Sequence, residues 1–460
     1  MRRTKRYLVL EALEDKTLLS GAHKHVVHHL SSHRPAPAVG ALATGTSASP
    51  AQDPTTLPTG DVQVLQQEAS GGALETTLVQ LAALMSNRSD VQQFATLVAT
   101  DDQTTEVTLA SLGSGKNVFL PHDIEGSDQA TAKSVLQAVN TTNFDRAFAT
   151  AMVQIEQADI NRLQQLTNTT QDADVKAFAQ AALALDQKHL TAAQALLSAI
   201  NSGGTSTVPS PSPMSGSSTL STADQQFLRQ FYSGSLLHQF LSQVVALQTS
   251  RTGLQRYALK LVNDHAMEDD RVLGYAMATN TSLPATLQGM DQTLARQVLQ
   301  NLNTNPNGAE TTYLNEMVTT HQMDIQNNQQ EINSTSNLNL RQLAMEDIPT
   351  DYLHMVGAQF LLGVNPLAGF PGFANAGVTN VHVTFRHPGN GSLVYNVTFD
   401  SGGFRFKQRY SLTTSRIRGA RNLGPGLTDV QAINLFLQSL YSRVNSGSTG
   451  GSQGGITSSQ

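Results

Sequence analysis

The sequence contains no cysteine and no tryptophan, and only 14% of its 460 residues are charged. Without cysteine, disulfide bonds, thiolate metal ligands and cysteine nucleophiles are excluded. The net charge of −6 gives no basic excess, so nucleic acid is not an expected partner. No run of about 18 apolar residues occurs, so no transmembrane span is predicted. Glycine-rich phosphate loops and the serine-hydrolase elbow are absent as well.

The N-terminus joins a basic start to an interrupted apolar stretch. In "MRRTKRYLVLEALEDKTLLSGA" the charged residues Glu11, Glu14 and Asp15 stand where a secretory signal is apolar. The stretch resembles a leader, L-E-x-L-E-D-R-x-L-L-S, of surface and secreted bacterial proteins, with Lys16 in place of arginine. That resemblance implies an extracytoplasmic location (periplasmic, cell-surface or secreted) and cell-envelope partners. Residues 1–57 are interpreted as this leader and a disordered, His/Pro-rich spacer.

A tandem duplication is the strongest signal in the chain. At an offset of 163 residues, "DVQVLQQEASGGALETTLVQLAAL" (61–84) aligns with "DQQFLRQFYSGSLLHQFLSQVVAL" (224–247). The match continues almost without gaps, and two extra residues near "NTNPNGAE" change the offset to 165. We therefore predict two domains of one kind, 58–200 and 222–364, joined by a Ser/Pro/Gly linker at 201–221.

Each copy has the periodicity of helices packed in a bundle. Phe227, Phe231, His238, Leu241 and Val245 recur at helical spacing along one face of the first helix of copy two. Four long antiparallel helices, with a short one between the second and third, predict a four-helix bundle.

The period changes to two after the second copy. "VTNVHVTFRH", "SLVYNVTFDS" and "GGFRFKQRYSLTT" alternate and are separated by glycine-containing turns, which predicts an antiparallel β meander. One helix over 427–444 is expected to cover it, giving a small α+β module at 377–445, before a disordered tail at 446–460. The predicted fold class is mainly α: two tandem four-helix bundles plus this module.

One histidine falls on each long helix of copy two. The four are His238, His265, His321 and His354. The aligned positions of copy one are Glu75, Asp102, Glu156 and His189. All eight residues are metal-ligand types, whereas neutral polar residues would be expected to replace side chains that are merely polar. This restriction favours metal ligation or proton exchange.

Carboxylates one helical turn from these positions strengthen the hypothesis. An i,i+3 separation places two side chains on one face of a helix, where a carboxylate can share a metal or orient an imidazole. In copy two these carboxylates are Glu268, Asp324 and Asp351, and in copy one Asp159 accompanies Glu156 while Asp186 accompanies His189. Four imidazoles suit zinc, copper or nickel, and the more acidic copy one suits iron or manganese. The alternative is that the histidines are structural and hydrogen-bond to Asp264, Asp351 or helix carbonyls.

Each copy resembles a bacterial ferritin-like family of unknown function, often labelled putative outer-membrane or predicted periplasmic protein. The family has an acid in the first helix, Asp-His in the second, and His in the third and fourth. In copy two Asp264-His265, His321 and His354 match, and His238 departs. In copy one Glu75 and His189 match, while Asp102 and Glu156 depart. The resemblance implies an extracytoplasmic four-helix bundle with a metal site, and it supplies no reaction.

These observations predict an extracytoplasmic metal-binding protein that stores, sequesters or handles the redox chemistry of a transition metal (Zn, Cu or Fe). A non-enzymatic cell-envelope protein, in which the bundles serve structure or interaction, is the alternative. A ferroxidase-like oxidoreductase centred on the acidic copy is the weaker third hypothesis; an enzyme is not the favoured interpretation.

Overall fold

A computed structural model describes residues 57–211 and 217–363, together with the backbone of 379–386, 392–401 and 404–413. The first copy forms five helices: α1 (Thr59–Met85), α2 (Ser89–Lys116), α3 (Asp128–Ala138), α4 (Phe144–Thr169) and α5 (Ala173–Ser202). The second forms α6 (Thr222–Gln248), α7 (Thr252–Ala278), α8 (Gly289–Gln300), α9 (Pro306–Ser334) and α10 (Leu338–Leu361). Each copy is a bundle of four long helices with a short helix between the second and third, as the periodicity predicts. We call them bundle one and bundle two.

Local sequence signals set several helix ends. The side chain of Asp172 accepts hydrogen bonds from the backbone at the start of α5, and Ser221 caps α6 in the same way. Helix α2 ends at Asn117 and α5 at Gly203, both in the left-handed conformation that closes a helix. Pro306 occupies the first turn of α9, where its missing amide hydrogen is not needed.

The two bundles share one hydrophobic core. Both lie within a single compact unit, Thr55–Asn365, and one cluster of buried side chains runs from Leu74 in α1 to Ala358 in α10. The first helices α1 and α6 contact each other, and each also contacts the short helix of the other bundle. Helix α6 is buried almost all round between Tyr232 and Leu247 because it has a bundle on both sides.

Hydrogen bonds across the junction come in reciprocal pairs that reproduce the duplication. Nε2 of Gln80 donates to the carbonyl of Ala285, and its Oε1 accepts from the amide of Leu287 at 3.0 Å. Gln243, its aligned residue, accepts from the amide of Ile124 at 3.3 Å. Asn140 donates to the carbonyl of Leu299, and the aligned Asn303 donates to that of Leu136. The bundles are therefore related as the halves of a two-fold dimer are.

The C-terminal part of the predicted fold class needs correction. The compact body at 57–363 is entirely helical, and no strand or sheet belongs to it. Beyond it, only the backbone of β1 (Thr379–Arg386), β2 (Ser392–Ser401) and β3 (Phe404–Thr413) is described, paired antiparallel in the order β1-β2-β3. The expected helix at 427–444 lies outside the described residues. Alternation predicts strand pairing, but three strands without a described covering layer do not make a packed module, so the α+β module is removed from the fold class.

Candidate metal centre

Four histidine rings meet inside bundle two. His238 lies on α6, His265 on α7, His321 on α9 and His354 on α10, and each is at most 2% exposed. The rings of His238 and His321 stack with centroids 4.0 Å apart. The His354 ring lies 5.0 Å from that of His265 and 5.1 Å from that of His321. The duplication alignment therefore identified four side chains that share one level of the bundle.

Three of these rings bring nitrogen atoms together. One ligand nitrogen each from His238, His265 and His321 lies within 4.8 Å of the other two. Nε2 of His265 is 3.3 Å from Nε2 of His321. Ligand atoms around one ion, at bonds of about 2.1 Å, lie about 3 to 4 Å apart. The nitrogens of His265 and His321 already have the spacing of two ligands, whereas the His238 ring, stacked parallel to that of His321, must rotate to direct a lone pair at the same ion.

Other hydrogen bonds orient these three rings. Nδ1 of His321 donates to the carbonyl of Met317 at 2.6 Å, and Nδ1 of His265 lies 3.1 Å from Oε2 of Glu268. Nε2 of His238 is 2.7 Å from Oγ1 of Thr320, and its Nδ1 has no hydrogen-bond partner. Such outer partners fix the ring and the tautomer of a ligating histidine, leaving the opposite nitrogen for the ion.

His354 makes a different contact. Its Nε2 lies 2.7 Å from Oδ2 of Asp264, which also pairs with Lys260 at 2.6 Å. The other ring nitrogen, Nδ1, is buried without a hydrogen-bond partner. His354 therefore packs against the three-histidine cluster, while one of its nitrogens is held by a carboxylate on α7.

A group of carboxylates borders the histidines. Glu268, Asp324 and Asp351 line the same cleft as His238 and His265. A fourth carboxylate, on Asp347 of α10, also lines it. The cleft measures about 330 Å³ including the solvent at its mouth. Asn328 donates to the carboxylates of Asp347 and Asp351 at 2.7 and 3.4 Å.

Burial perturbs the ionisation of both groups. Burial raises the pKa of Glu268 to about 7, and it raises the pKa values of Asp324, Asp347 and Asp351 well above the usual range, with neighbouring carboxylates adding to the effect. Burial lowers the pKa values of His265 and His354 to about 4, and burial together with the neighbouring histidines lowers those of His238 and His321 well below the usual range. The imidazoles are therefore neutral near pH 7, which is the form that binds a metal.

Bundle one has an acidic counterpart at the same level. Ligand atoms of Glu156, Asp186 and His189 lie within 4.8 Å of one another. Nδ1 of His189 is 3.6 Å from Oε1 of Glu156 and 4.0 Å from Oδ1 of Asp102. Glu75 is buried, and burial raises its pKa above the usual range, although His189 partly opposes this shift.

Asp159, predicted to belong to the bundle-one site, has a different partner. It forms an ion pair with Arg162, which also binds Glu68 at 2.9 Å. Arg162 aligns with Asn327 in bundle two, at the offset of 165. In bundle one, Arg162 neutralises two carboxylates. Bundle two has the uncharged amide of Asn327 at the same position.

Two residues of these clusters were not among the predicted site residues. Asp347 lies one turn before Asp351, but it aligns with Ala182, so the duplication gives no signal for it. Asp186 was noted only as a neighbour of His189. Its alignment with Asp351 was the signal that could have included it.

Comparison with known proteins gives a family and no activity. A family model described as a domain of unknown function (DUF4142) matches residues 46–196 and again residues 209–361. None of the curated proteins and none of the solved structures matches the chain. Across the part of the chain that the structure describes, no helix has the length and apolar character needed to cross a membrane.

Proposed function

The chain belongs to the DUF4142 family, a family of unknown function, so we propose a function from the side chains of the chain itself. We propose that bundle two binds one transition-metal ion. The ligands are His238, His265 and His321, and Zn²⁺ or Cu²⁺ is the expected ion because imidazole nitrogen suits both. The role that follows is storage or sequestration. We further propose an extracytoplasmic location and a ferritin-like arrangement of each bundle. The leader-like N-terminus supports the location, and the four long helices with buried ligand types support the arrangement.

The observation that carries the proposal is the approach of two imidazole nitrogens. In His321 the Nδ1 hydrogen is used by Met317, so Nε2 presents a lone pair toward His265. If Glu268 is ionised, it accepts the Nδ1 hydrogen of His265, and a second lone pair then faces the first across 3.3 Å. Two facing lone pairs repel each other, so a cation between them lowers the free energy. A proton or a metal ion can play that part.

The surrounding carboxyl groups favour bound positive charge, which either protons or a divalent cation can supply. Glu268, Asp324, Asp347 and Asp351 lie around one cleft, and burying several carboxylates together is costly unless positive charge accompanies them. Asn327 contributes no such charge, in contrast to Arg162 of bundle one. Asp324 borders the cluster on the side of the Thr320 contact, since its Oδ2 lies 3.7 Å from Nε2 of His238.

The experiment is metal analysis of the full-length protein, purified without an affinity tag and dialysed against limiting Zn²⁺ or Cu²⁺. The double variant His265→Gln/His321→Gln is expected to bind one ion fewer per chain than the wild type. His122→Gln, which changes a half-buried histidine outside both clusters, is the matched control and keeps the wild-type count. The result is read as the difference in bound ions between wild type and variant. Five histidines between His23 and His33 are present in every variant, so any metal they bind cancels in that difference.

A second candidate function is a non-enzymatic cell-envelope protein with structural histidines. It is favoured by one observation: His238, His265, His321 and His354 each have a hydrogen-bonding partner within the protein. Under this alternative, the double variant loses stability and the wild type binds no ion that the variant lacks. Metal content and the stability of the double variant, measured together, therefore distinguish metal binding from a structural role of the histidines.

A further inference from the structure

We propose that bundle one holds a second cation site of different chemistry, for a divalent ion of the Mn²⁺ or Fe²⁺ class, formed by Glu75, Glu156, Asp186 and His189. The site stands on residues separate from the bundle-two cluster. Its basis is a group of buried side-chain atoms on Glu75, Glu156 and His189 that have no hydrogen-bond partner outside the group, together with the half-buried Asp186, whose ligand atom lies within 4.8 Å of those of Glu156 and His189.

Glu156 provides the first part of the evidence. Its side chain is completely buried, and its carboxylate oxygens have no hydrogen-bond partner other than the carboxyl group of Glu75. Oε1 of Glu75 is also buried without a hydrogen bond. A buried carboxylate without hydrogen bonds is unfavourable unless a proton or a cation accompanies it. Both glutamates come from long helices, α1 and α4, that pack against each other, so their atoms are held in place by the bundle.

His189 is oriented as a metal ligand would be. Its Nε2 lies 3.2 Å from Oδ2 of Asp101, so a carboxylate fixes the ring from behind. Its Nδ1 is buried, has no hydrogen-bond partner and lies 3.6 Å from Oε1 of Glu156. The aligned pair in bundle two, Asp264 and His354, makes the same contact, so both copies of the duplicated domain contain it.

The basic side chains of bundle one pair elsewhere. Arg162 forms ion pairs with Glu68 and Asp159, and Lys188 pairs with Asp101 at 2.6 Å. Within the described residues, no ion pair joins a lysine or arginine to Glu156 or Asp186. From a distance, Arg162 partly offsets the rise that burial causes in the pKa values of Glu75 and Asp186, and any positive charge in direct contact with Glu156 is left to His189, a bound cation or protons.

The ligand chemistry differs from that of bundle two. Three carboxylates and one imidazole form an oxygen-rich set, which suits Mn²⁺ or Fe²⁺, whereas three imidazoles suit Zn²⁺ or Cu²⁺. Duplication followed by exchange of His for Glu or Asp at three of four aligned positions would give one chain two sites with different metal preferences. The competing explanation is that Glu75 and Glu156 share a proton and no ion binds.

The test is to titrate the chelator-treated, full-length protein with Mn²⁺. The paramagnetic resonance signal of free Mn²⁺ measures how much of the ion remains unbound. The wild type is expected to bind one Mn²⁺ in the bundle. Glu156→Gln should weaken this binding at least tenfold, whereas Glu125→Gln, which removes an exposed carboxylate of the same bundle, should leave it unchanged. The double variant His265→Gln/His321→Gln should also bind Mn²⁺ as the wild type does, which separates this site from the one in bundle two.

A second measurement applies if Glu156→Gln does not fold. Pulsed paramagnetic resonance of the Mn²⁺-loaded wild type should show coupling to one imidazole nitrogen, and His189→Gln should abolish it. The proposal is overturned if the wild type binds no Mn²⁺, if Glu156→Gln binds it as tightly as Glu125→Gln does, or if the nitrogen coupling is absent or survives His189→Gln.

Discussion

Nε2 of His265 lies 3.3 Å from Nε2 of His321, and the opposite nitrogen of each ring is already engaged, by Glu268 and by Met317. Because His321 uses its hydrogen on Met317, the contact is favourable only when His265 donates from Nε2 or a cation lies between the rings. Donation from a neutral His265 requires that its Nδ1 accept a hydrogen bond, from a protonated Glu268 at 3.1 Å or from the Ser235 hydroxyl at 3.5 Å. A proton shared between Glu268 and His265, or a metal ion between the two rings, can therefore relieve the repulsion between the facing nitrogens.

The first prediction concerns Glu268→Gln in the metal-free protein. Burial raises the pKa of Glu268 to about 7, so the folded state favours the protonated form. The stability from this preference is fully present below the unfolded pKa of about 4.5 and is lost as the pH rises through about 7. Glutamine resembles the protonated acid and does not ionise. We expect the variant to have a higher melting temperature than the wild type at pH 8 and little difference at pH 4.

The same variant should change metal binding in the opposite direction. Loss of a carboxylate that orients a ligating histidine typically weakens binding about 10- to 100-fold. Competition with a chromophoric chelator at pH 7.5 measures this change. The matched control is Glu316→Gln, which removes a half-buried carboxylate of the same bundle outside the cleft. Equal affinity in the wild type and Glu268→Gln would contradict the orienting role.

The second prediction separates three ligating histidines from four. The cluster of mutually close ligand nitrogens comprises His238, His265 and His321 and does not include His354, although Nδ1 of His354 is free of hydrogen bonds. His354→Gln should therefore keep one Zn²⁺ per chain, whereas His321→Gln should lose it. Removal of the imidazole also leaves Asp264 without one of its partners, so a loss of about 1–3 kcal/mol in the free energy of unfolding is expected. Loss of the ion in His354→Gln would show that all four rings ligate, as the sequence predicted.

The third prediction concerns the junction between the bundles. Gln80 is 1% exposed and makes two hydrogen bonds to the loop before α8. Gln80→Ala leaves the carbonyl of Ala285 and the amide of Leu287 without these bonds. The free energy of unfolding should fall by about 1–3 kcal/mol. Urea denaturation at pH 7 measures the change, and Gln157→Ala, at an exposed position, serves as the control. A change within about 0.5 kcal/mol, as is usual for surface substitutions, would mean that the contact contributes little.

Much of the candidate centre could be predicted from the sequence because the duplication supplies an internal comparison. Aligning His238 with Glu75 and His321 with Glu156 indicates which polar positions of each helix keep ligand types, and the structure brings these positions to one level. The alignment gives no help at Asp347, whose counterpart is Ala182. It also predicts that all four histidines converge, and it cannot show that Asp264 holds one nitrogen of His354, because that depends on side-chain rotation.

The packing of the two bundles on each other was not foreseen from the sequence. The Ser/Pro/Gly-rich linker at 201–221 indicated two separate bodies, yet one core runs through both. A signal was present in "SLLHQFLSQVVAL" of α6, which is too apolar for a helix with one exposed face. At the C-terminus, alternation identified strands but could not show whether a covering layer exists, and that layer decides whether the strands form a module.

The most direct test of the central claim is anomalous scattering at the zinc edge from crystals of the full-length protein grown with Zn²⁺. We predict a peak about 2.0–2.1 Å from Nε2 of both His265 and His321, with a nitrogen of His238 completing the shell. Crystals with zinc peaks elsewhere in the protein and none among these three rings would contradict the account.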